Sequence, residues 1–344
     1  MTRIEIPRPD DWHLHLRDGA VMRAVLPDTS RHFGRALVMP NLDPPVVTGK
    51  DAAHYRDRIL AALPDGADFT PLMTLYLTEE TDPDDVVAAH ADGVIAAVKL
   101  YPAGATTNSA RGVRDINNVG HTLEAMAKSG VPLCIHGEVA DAHTDIFDRE
   151  KVFIDRILRP LKDRLPELRV TLEHVTTAEG VAFVEDAPGP IAGTITAHHL
   201  MLTRNDLLAG GIRPHYYCLP ILKRERDRRA LLAVATDASS RFFLGTDSAP
   251  HLDGGKLAPC GCAGCYTAPV ALPYLAQLFE TCGKLDALAA FVSTKGAAHY
   301  GLPVNPTNVT LMRDQPVTFA ASLATEDGPI TIFDPGFTTD WAVE

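Results

Sequence analysis

Short apolar runs of strand length alternate along this chain with longer stretches in which apolar residues recur at helical spacing. The strand-like runs are 11–16 ("DWHLHL"), 35–40, 69–77, 94–101, 131–138, 169–175, 193–200 and 241–248. Between them lie helical patterns such as 48–62, 83–92, 115–129, 148–164, 177–186 and 224–238, and another, about 268–281, follows the eighth run. Eight strand–helix units predict an α/β chain with a parallel sheet. With no Gly-rich phosphate fingerprint, the pattern favours a (β/α)8 TIM barrel over a doubly wound open sheet. The segment 301–344, rich in Pro, Thr and Asp with short β-like pieces, is expected to be a C-terminal extension packed on the barrel, so that 1–344 forms one domain.

The first run sharpens the picture. In a strand, His13, His15 and Arg17 share one face and Leu14 and Leu16 the other, so the leucines are ready for burial while the histidines gather a ligand or face water. A barrel's reactive groups sit at the C-terminal ends of its strands. Read in order, those ends carry His13 and His15, Asn41, Lys99, His136, His174 and Asp247. Four histidines, one aspartate and one lysine converging on one mouth are a metal site. Any one of them alone reads more simply: a lone histidine is usually a hydrogen-bonded core or surface group, and Asp247 could cap a helix. His32, His54, His90, His121, His143, His215 and His299 are left to that plain reading. His198 and His199 end the seventh run and, as neighbours in a strand, point to opposite faces, so neither is assigned as a ligand. Lys99 either snorkels to water or has added carbon dioxide to its neutral amine, because an ammonium beside divalent cations is strongly disfavoured. The resulting carbamate is anionic and its two oxygens can bridge two metals.

Composition and charge remove other functions. A net charge of -12 gives poor electrostatic support for nucleic acid or an anionic membrane as partner. The basic run "KRERDRR" at 223–229 is interrupted by Glu225 and Asp227 and reads as a solvated helix start. The N-terminus lacks a signal-peptide core and no stretch is long enough to span a bilayer, so the expected location is cytoplasmic. Six cysteines in 344 residues make no disulfide framework. "PCGCAGC" (Cys260, Cys262, Cys265) reads as a tight Gly-rich loop and not a zinc knuckle, since no second Cys/His pair follows at ligand spacing.

Taken together, "DWHLHLRDG", "MPNLDPP", "KLYPAGATTNS", "HGE", "LEHVTT", "GTDSAPH" and "CGCAGC" resemble the short bacterial dihydroorotases of the amidohydrolase superfamily. The resemblance runs from about residue 11 to 266. It implies a zinc-dependent hydrolase of cyclic amides in pyrimidine biosynthesis, with two zincs per subunit. His13, His15 and Asp247 would hold one zinc and His136 and His174 the other, bridged by N6-carboxylated Lys99 and a hydroxide. Arg17, Asn41 and His251 would bind the substrate carboxylate, and backbone at Leu219 and Ala263 the ring amide. Thr106 and Thr107 would lie in a mobile loop that closes over substrate. Asp247 would be the catalytic proton carrier, and the subunit would pair as a homodimer. The role of Asp43, a negative charge near an anionic ligand unless it turns outward, stays open. A hydantoinase or allantoinase could share the metal ligands. Those enzymes usually carry a β-rich segment before the His-x-His, and only 12 residues precede His13 here. A metal-free scaffolding barrel would have lost ligands, whereas all six are present.

Overall fold

The protein is described from a computed structural model covering residues 2–259 and 261–344; Cys260, one of the three cysteines of the Gly-rich loop, lies outside the described residues. After an N-terminal strand β1 (Thr2–Pro7) come the eight parallel strands β2 (Asp10–Leu14), β3 (Arg35–Val38), β4 (Thr70–Tyr76), β5 (Ala97–Leu100), β6 (Leu133–His136), β7 (Val170–Glu173), β8 (Ile191–Ile195) and β9 (Phe242–Leu244). They pair in chain order, and each overlaps one of the eight apolar runs. This is the TIM barrel of the sequence pattern. Its seam lies between β2 and β9, where the Asp247 amide donates to His13 O at 2.9 Å and the His15 amide donates to Ser248 O at 3.1 Å. The Asp11 carboxylate reinforces the seam by accepting from the Thr246 amide (2.8 Å) and hydroxyl (2.6 Å) and from the His13 amide (3.1 Å).

Helices begin where local chemistry starts them. Thr48 and Asp51 form a reciprocal capping box at the head of helix Gly49–Ala61. Thr196 accepts from the His199 amide at 3.0 Å and so starts helix Ala197–Met201. That cap corrects the expected strand 193–200: β8 stops at Ile195, and His198 and His199 lie on a helix, where strand alternation does not apply. The basic run does open a helix, Glu225–Ala235, but it is not solvated throughout. Lys223 and Asp227 are buried, with Lys223 Nζ donating to Ile221 O at 3.0 Å.

The barrel floor is apolar. Trp12, Leu37, Ala97, Cys134, Ala192 and Phe243, from six of the eight strands, belong to one cluster, and the Trp12 ring stacks on Tyr300 at 4.5 Å. Gly296 backs that indole so closely that a Cβ there would lie 2.0 Å from Trp12 Nε1. Strands β10 (Asn308–Val317), β11 (Ser322–Thr325), β12 (Gly328–Thr331) and β13 (Thr339–Val343) make up the tail. The order β1–β10–β13 forms an antiparallel sheet, so the alternating "TRIEI" at the N-terminus, not foreseen as a strand, is recruited by the tail. The β11–β12 hairpin is fastened to the barrel through Thr331, whose amide donates to Asp253 at 2.9 Å. Among the described residues no helix is long and apolar enough to cross a membrane.

Candidate metal centre

The alternation in "DWHLHL" works as a pleat with one defect. The β2–β3 register shifts between Asp11 and Leu14. An extra residue of this kind re-aims side chains. Trp12 joins the barrel floor while His13, next in sequence, enters the mouth. Beyond the defect the alternation is regular: His13 and His15 reach the pocket while Leu14 and Leu16 are buried in the outer core.

The donor atoms form a recognisable figure. His13 Nε2 lies 3.2 Å from His15 Nε2 and 3.4 Å from Asp247 Oδ1, and His15 Nε2 lies 3.1 Å from Asp247 Oδ1. A second pair, His136 Nδ1 and His174 Nε2, stands 3.1 Å apart. Two nitrogens each about 2.0–2.1 Å from a tetrahedral zinc sit roughly 3.3 Å apart. The triangle and the pair therefore match edges of coordination polyhedra, and the residues fit metal binding. Burial holds His15 down to about 4 and lowers His136 against the pull of the Glu138 carboxylate, and burial followed by the neighbouring His136 ring lowers His174 as well. Their imidazoles are neutral at neutral pH, the form that ligates metals. Burial opposes ionisation of Asp247, but the His13 and His15 rings outweigh it and hold the carboxyl well below the usual range.

Positive φ angles concentrate here, at Arg17 (61°), His174 (40°) and Asp247 (46°). Such conformations cost energy for non-glycine residues and persist where the surrounding structure imposes them. At His174 the effect is specific: it breaks strand alternation, so Glu173 and His174, adjacent in sequence, both act inside the barrel. Glu173 escaped the sequence reading for that reason. Fully buried, it meets His13 Nδ1 and stands 2.6 Å from Lys99 Nζ. Lys99 itself is fully buried beneath the mouth, with Tyr101 5.1 Å away, so the snorkelling alternative fails.

The pocket above is lined by His13, His15, Arg17, Asn41, Tyr101, Thr106, Thr107, His136, His174, Leu219, Asp247, Ala249 and Ala263. Tyr101 and Ala249 are the additions to the residues singled out from sequence. His251 stands behind the wall, in the adjoining pocket, with Nε2 2.9 Å from both Arg17 Nη2 and Ala263 O. Nε2 can serve only one of these partners at a time, because a neutral ring nitrogen either donates or accepts. Arg17 Nε donates to Pro250 O at 3.0 Å. The 104–109 loop lies over the pocket: Asn41 Nδ2 donates to Thr107 O (3.1 Å) and Asn108 Nδ2 donates to Asn41 O (3.0 Å). Asp43 is exposed and is not among the residues lining the pocket.

The amidohydrolase family pattern matches residues 10–305 of this chain. A dihydroorotase from Jannaschia sp. (strain CCS1) is 62% identical over 342 residues, covering 99% of both chains. The crystal structure of dihydroorotase from Saccharomyces cerevisiae in complex with 5-fluoroorotic acid superposes with a TM-score of 0.93 at 32% identity, covering 100% of this chain and 99% of that one. L-Hydantoinase (dihydropyrimidinase) from Arthrobacter aurescens reaches a TM-score of 0.80 at only 15% identity, over 98% of this chain and 85% of its own, a likeness of fold alone. The chain belongs to the dihydroorotases, within the amidohydrolase family.

Proposed function

We propose that this chain catalyses the reversible, zinc-dependent closure of N-carbamoyl-L-aspartate to L-dihydroorotate and water, a step of pyrimidine biosynthesis. The observation that carries the reading is the set of donor spacings of 3.1–3.4 Å at one barrel mouth, beneath a half-buried arginine. Membership of this family implies a metal cofactor. In the finer assignment His13, His15 and Asp247 would hold one zinc, His136 and His174 a second, and carboxylated Lys99 would contribute to both. Bound there, the metal pair would supply a hydroxide nucleophile near neutral pH and polarise the amide carbonyl.

The chain's own residues do the rest. Arg17 offers a guanidinium fork that matches the substrate α-carboxylate, with Asn41 and His251 completing the carboxylate site. For this, Asn41 must exchange its bond to Thr107 for one to substrate. Backbone at Leu219 and Ala263 holds the ring amide, and Thr106 and Thr107 cover it and exclude water. In the hydrolytic direction the oxygen nucleophile attacks the ring carbonyl carbon, Asp247 accepts its proton, and the C–N bond breaks as Asp247 returns that proton to the departing nitrogen. Ring closure runs these steps backwards and consumes one proton. It is therefore favoured about tenfold per unit fall in pH while both carboxylates are ionised. The test is cyclisation of N-carbamoyl-L-aspartate by purified protein before and after metal stripping and zinc restoration. Zinc-dependent ring closure is expected. No turnover from protein holding two zincs, or turnover of hydantoin or allantoin instead, overturns the reading. The homodimer belongs to the same proposal, and light scattering in solution tests it.

A further inference from the structure

We propose that His198, Cys218 and Cys265 form a separate metal site for a thiophilic divalent cation such as zinc or cadmium, pinning together the two loops that carry Leu219 and Ala263. The three come from distant segments: the head of helix Ala197–Met201, the turn before Leu219 and the end of the Gly-rich loop. One donor atom from each lies within 4.8 Å of the other two, and all three side chains are buried.

His198 points to a ligand independently of the cysteines. It is fully buried, yet neither ring nitrogen has a hydrogen-bond partner. Its neighbour His199 shows what this environment ordinarily provides: Nδ1 is 2.8 Å from Thr196 Oγ1 and Nε2 is 2.9 Å from Pro220 O. Buried polar groups are almost always paired, so an imidazole with two idle nitrogens beside two thiols calls for an electrophile. The thiols themselves make weak contacts, Cys218 Sγ to Pro220 O at 3.3 Å and to His199 Nε2 at 3.8 Å, and Cys265 Sγ to His215 O at 3.4 Å.

The chemistry of the donor set selects the ion. Thiolate and imidazole suit zinc and cadmium and not the hard oxygen-seeking cations. A tetrahedral zinc places sulfur and nitrogen donors roughly 3.6–3.8 Å apart, so the present envelope needs an inward shift of about an ångström at most. Binding expels both thiol protons to solvent, and a divalent ion with two thiolates carries no net charge into the core. Nearby, the buried Lys256 ammonium donates to Tyr217 O, Cys262 O and Gly264 O at 2.8, 2.9 and 2.8 Å. It already clasps the same two loops and favours thiolates beside them. Cys218 immediately precedes Leu219, and Cys265 follows Ala263 by two residues. Under the proposed function those are the backbone contacts to the substrate ring, so an ion here sets their spacing.

The binuclear mouth contains no sulfur, which makes the test independent of it. Zinc-loaded, reduced wild-type protein is titrated with Cd2+ and followed by thiolate-to-cadmium charge-transfer absorption in the ultraviolet. One equivalent is expected to saturate the band, C218S and C265S to lose it, and C282S to keep it. Crystals of the wild-type protein soaked in Cd2+ should show an anomalous peak among the three side chains, a result that requires no variant to fold. No band at excess Cd2+ overturns the proposal. So does a band that survives in C218S and C265S, or a peak confined to Cys260 and Cys262. Ring closure without the band would sink this site and spare the proposed function, and the band without ring closure would do the reverse.

Discussion

Replacing Glu173 by glutamine tests the buried charge beneath the metal site. Glu173 Oε2 is 2.6 Å from Lys99 Nζ, and both side chains are inaccessible to solvent. Glutamine keeps the shape and removes the counter-charge, leaving a lone ammonium in the barrel. Breaking one side of a buried ion pair costs about 3–5 kcal/mol. At about 2.1 cal/mol/K per residue, a chain of 344 residues has an unfolding entropy of about 0.7 kcal/mol/K, so E173Q should melt about 4–7 °C below wild type. The assay is thermal melting by circular dichroism on metal-stripped protein in carbonate-free buffer, where Lys99 is not carboxylated. Burial opposes ionisation of Glu173, but His13 and Lys99 hold its carboxyl below the ordinary range. The folded state therefore binds fewer protons than the unfolded chain as pH falls, so the stabilisation is complete above about pH 4.3 and is lost on acidification. The gap between wild type and variant should close accordingly. Glu173 also meets His13 Nδ1, so zinc affinity measured by chelator competition should fall about 10–100-fold. A variant melting within about 1 °C of wild type at neutral pH, an energy well under that of a broken buried pair, would refute the reasoning.

Three further outcomes follow from the geometry. Burial pushes Asp11 from 3.8 to about 7 against the bonds it accepts from Thr246 and His13. The folded state keeps that proton where the unfolded chain has lost it, so stability falls as pH rises across this window. D11N should lack this slope, and the advantage of wild type over D11N should shrink by about 4 kcal/mol between pH 4 and pH 7.5, read from melting curves. R17K exchanges a two-pronged carboxylate contact for a point charge and should lower kcat/KM for L-dihydroorotate about 10–100-fold, mainly through KM; a change confined to kcat would contradict the binding role. G296A places a methyl 2.0 Å from Trp12 Nε1 and should cost about 3 kcal/mol, or roughly 4 °C, with zinc affinity at the opposite end of the barrel unchanged. An unaltered melting point would mean that the floor is not packed as described.

Local pattern carried a great deal in this chain. Short apolar runs set between stretches of helical spacing marked all eight strands, and the rule that strand ends share one mouth brought His13, His15, His136, His174 and Asp247 together from the sequence alone. That legibility has a simple origin, because which face a side chain takes is encoded over two to four residues. The remainder depended on contacts between distant segments. Asp11 bonds to Thr246 across 235 residues, since a barrel must join its first strand to its last and no local pattern specifies how. Thr196 ended β8 early and placed His198 on a helix, where only the fold could set it beside Cys218 and Cys265. Glu173 was hidden by the alternation that revealed its neighbours, because the left-handed backbone at His174 turns two consecutive side chains into one site. A strained φ of this kind is stable only when surrounding packing and hydrogen bonds pay its cost, and those are supplied by the closed barrel.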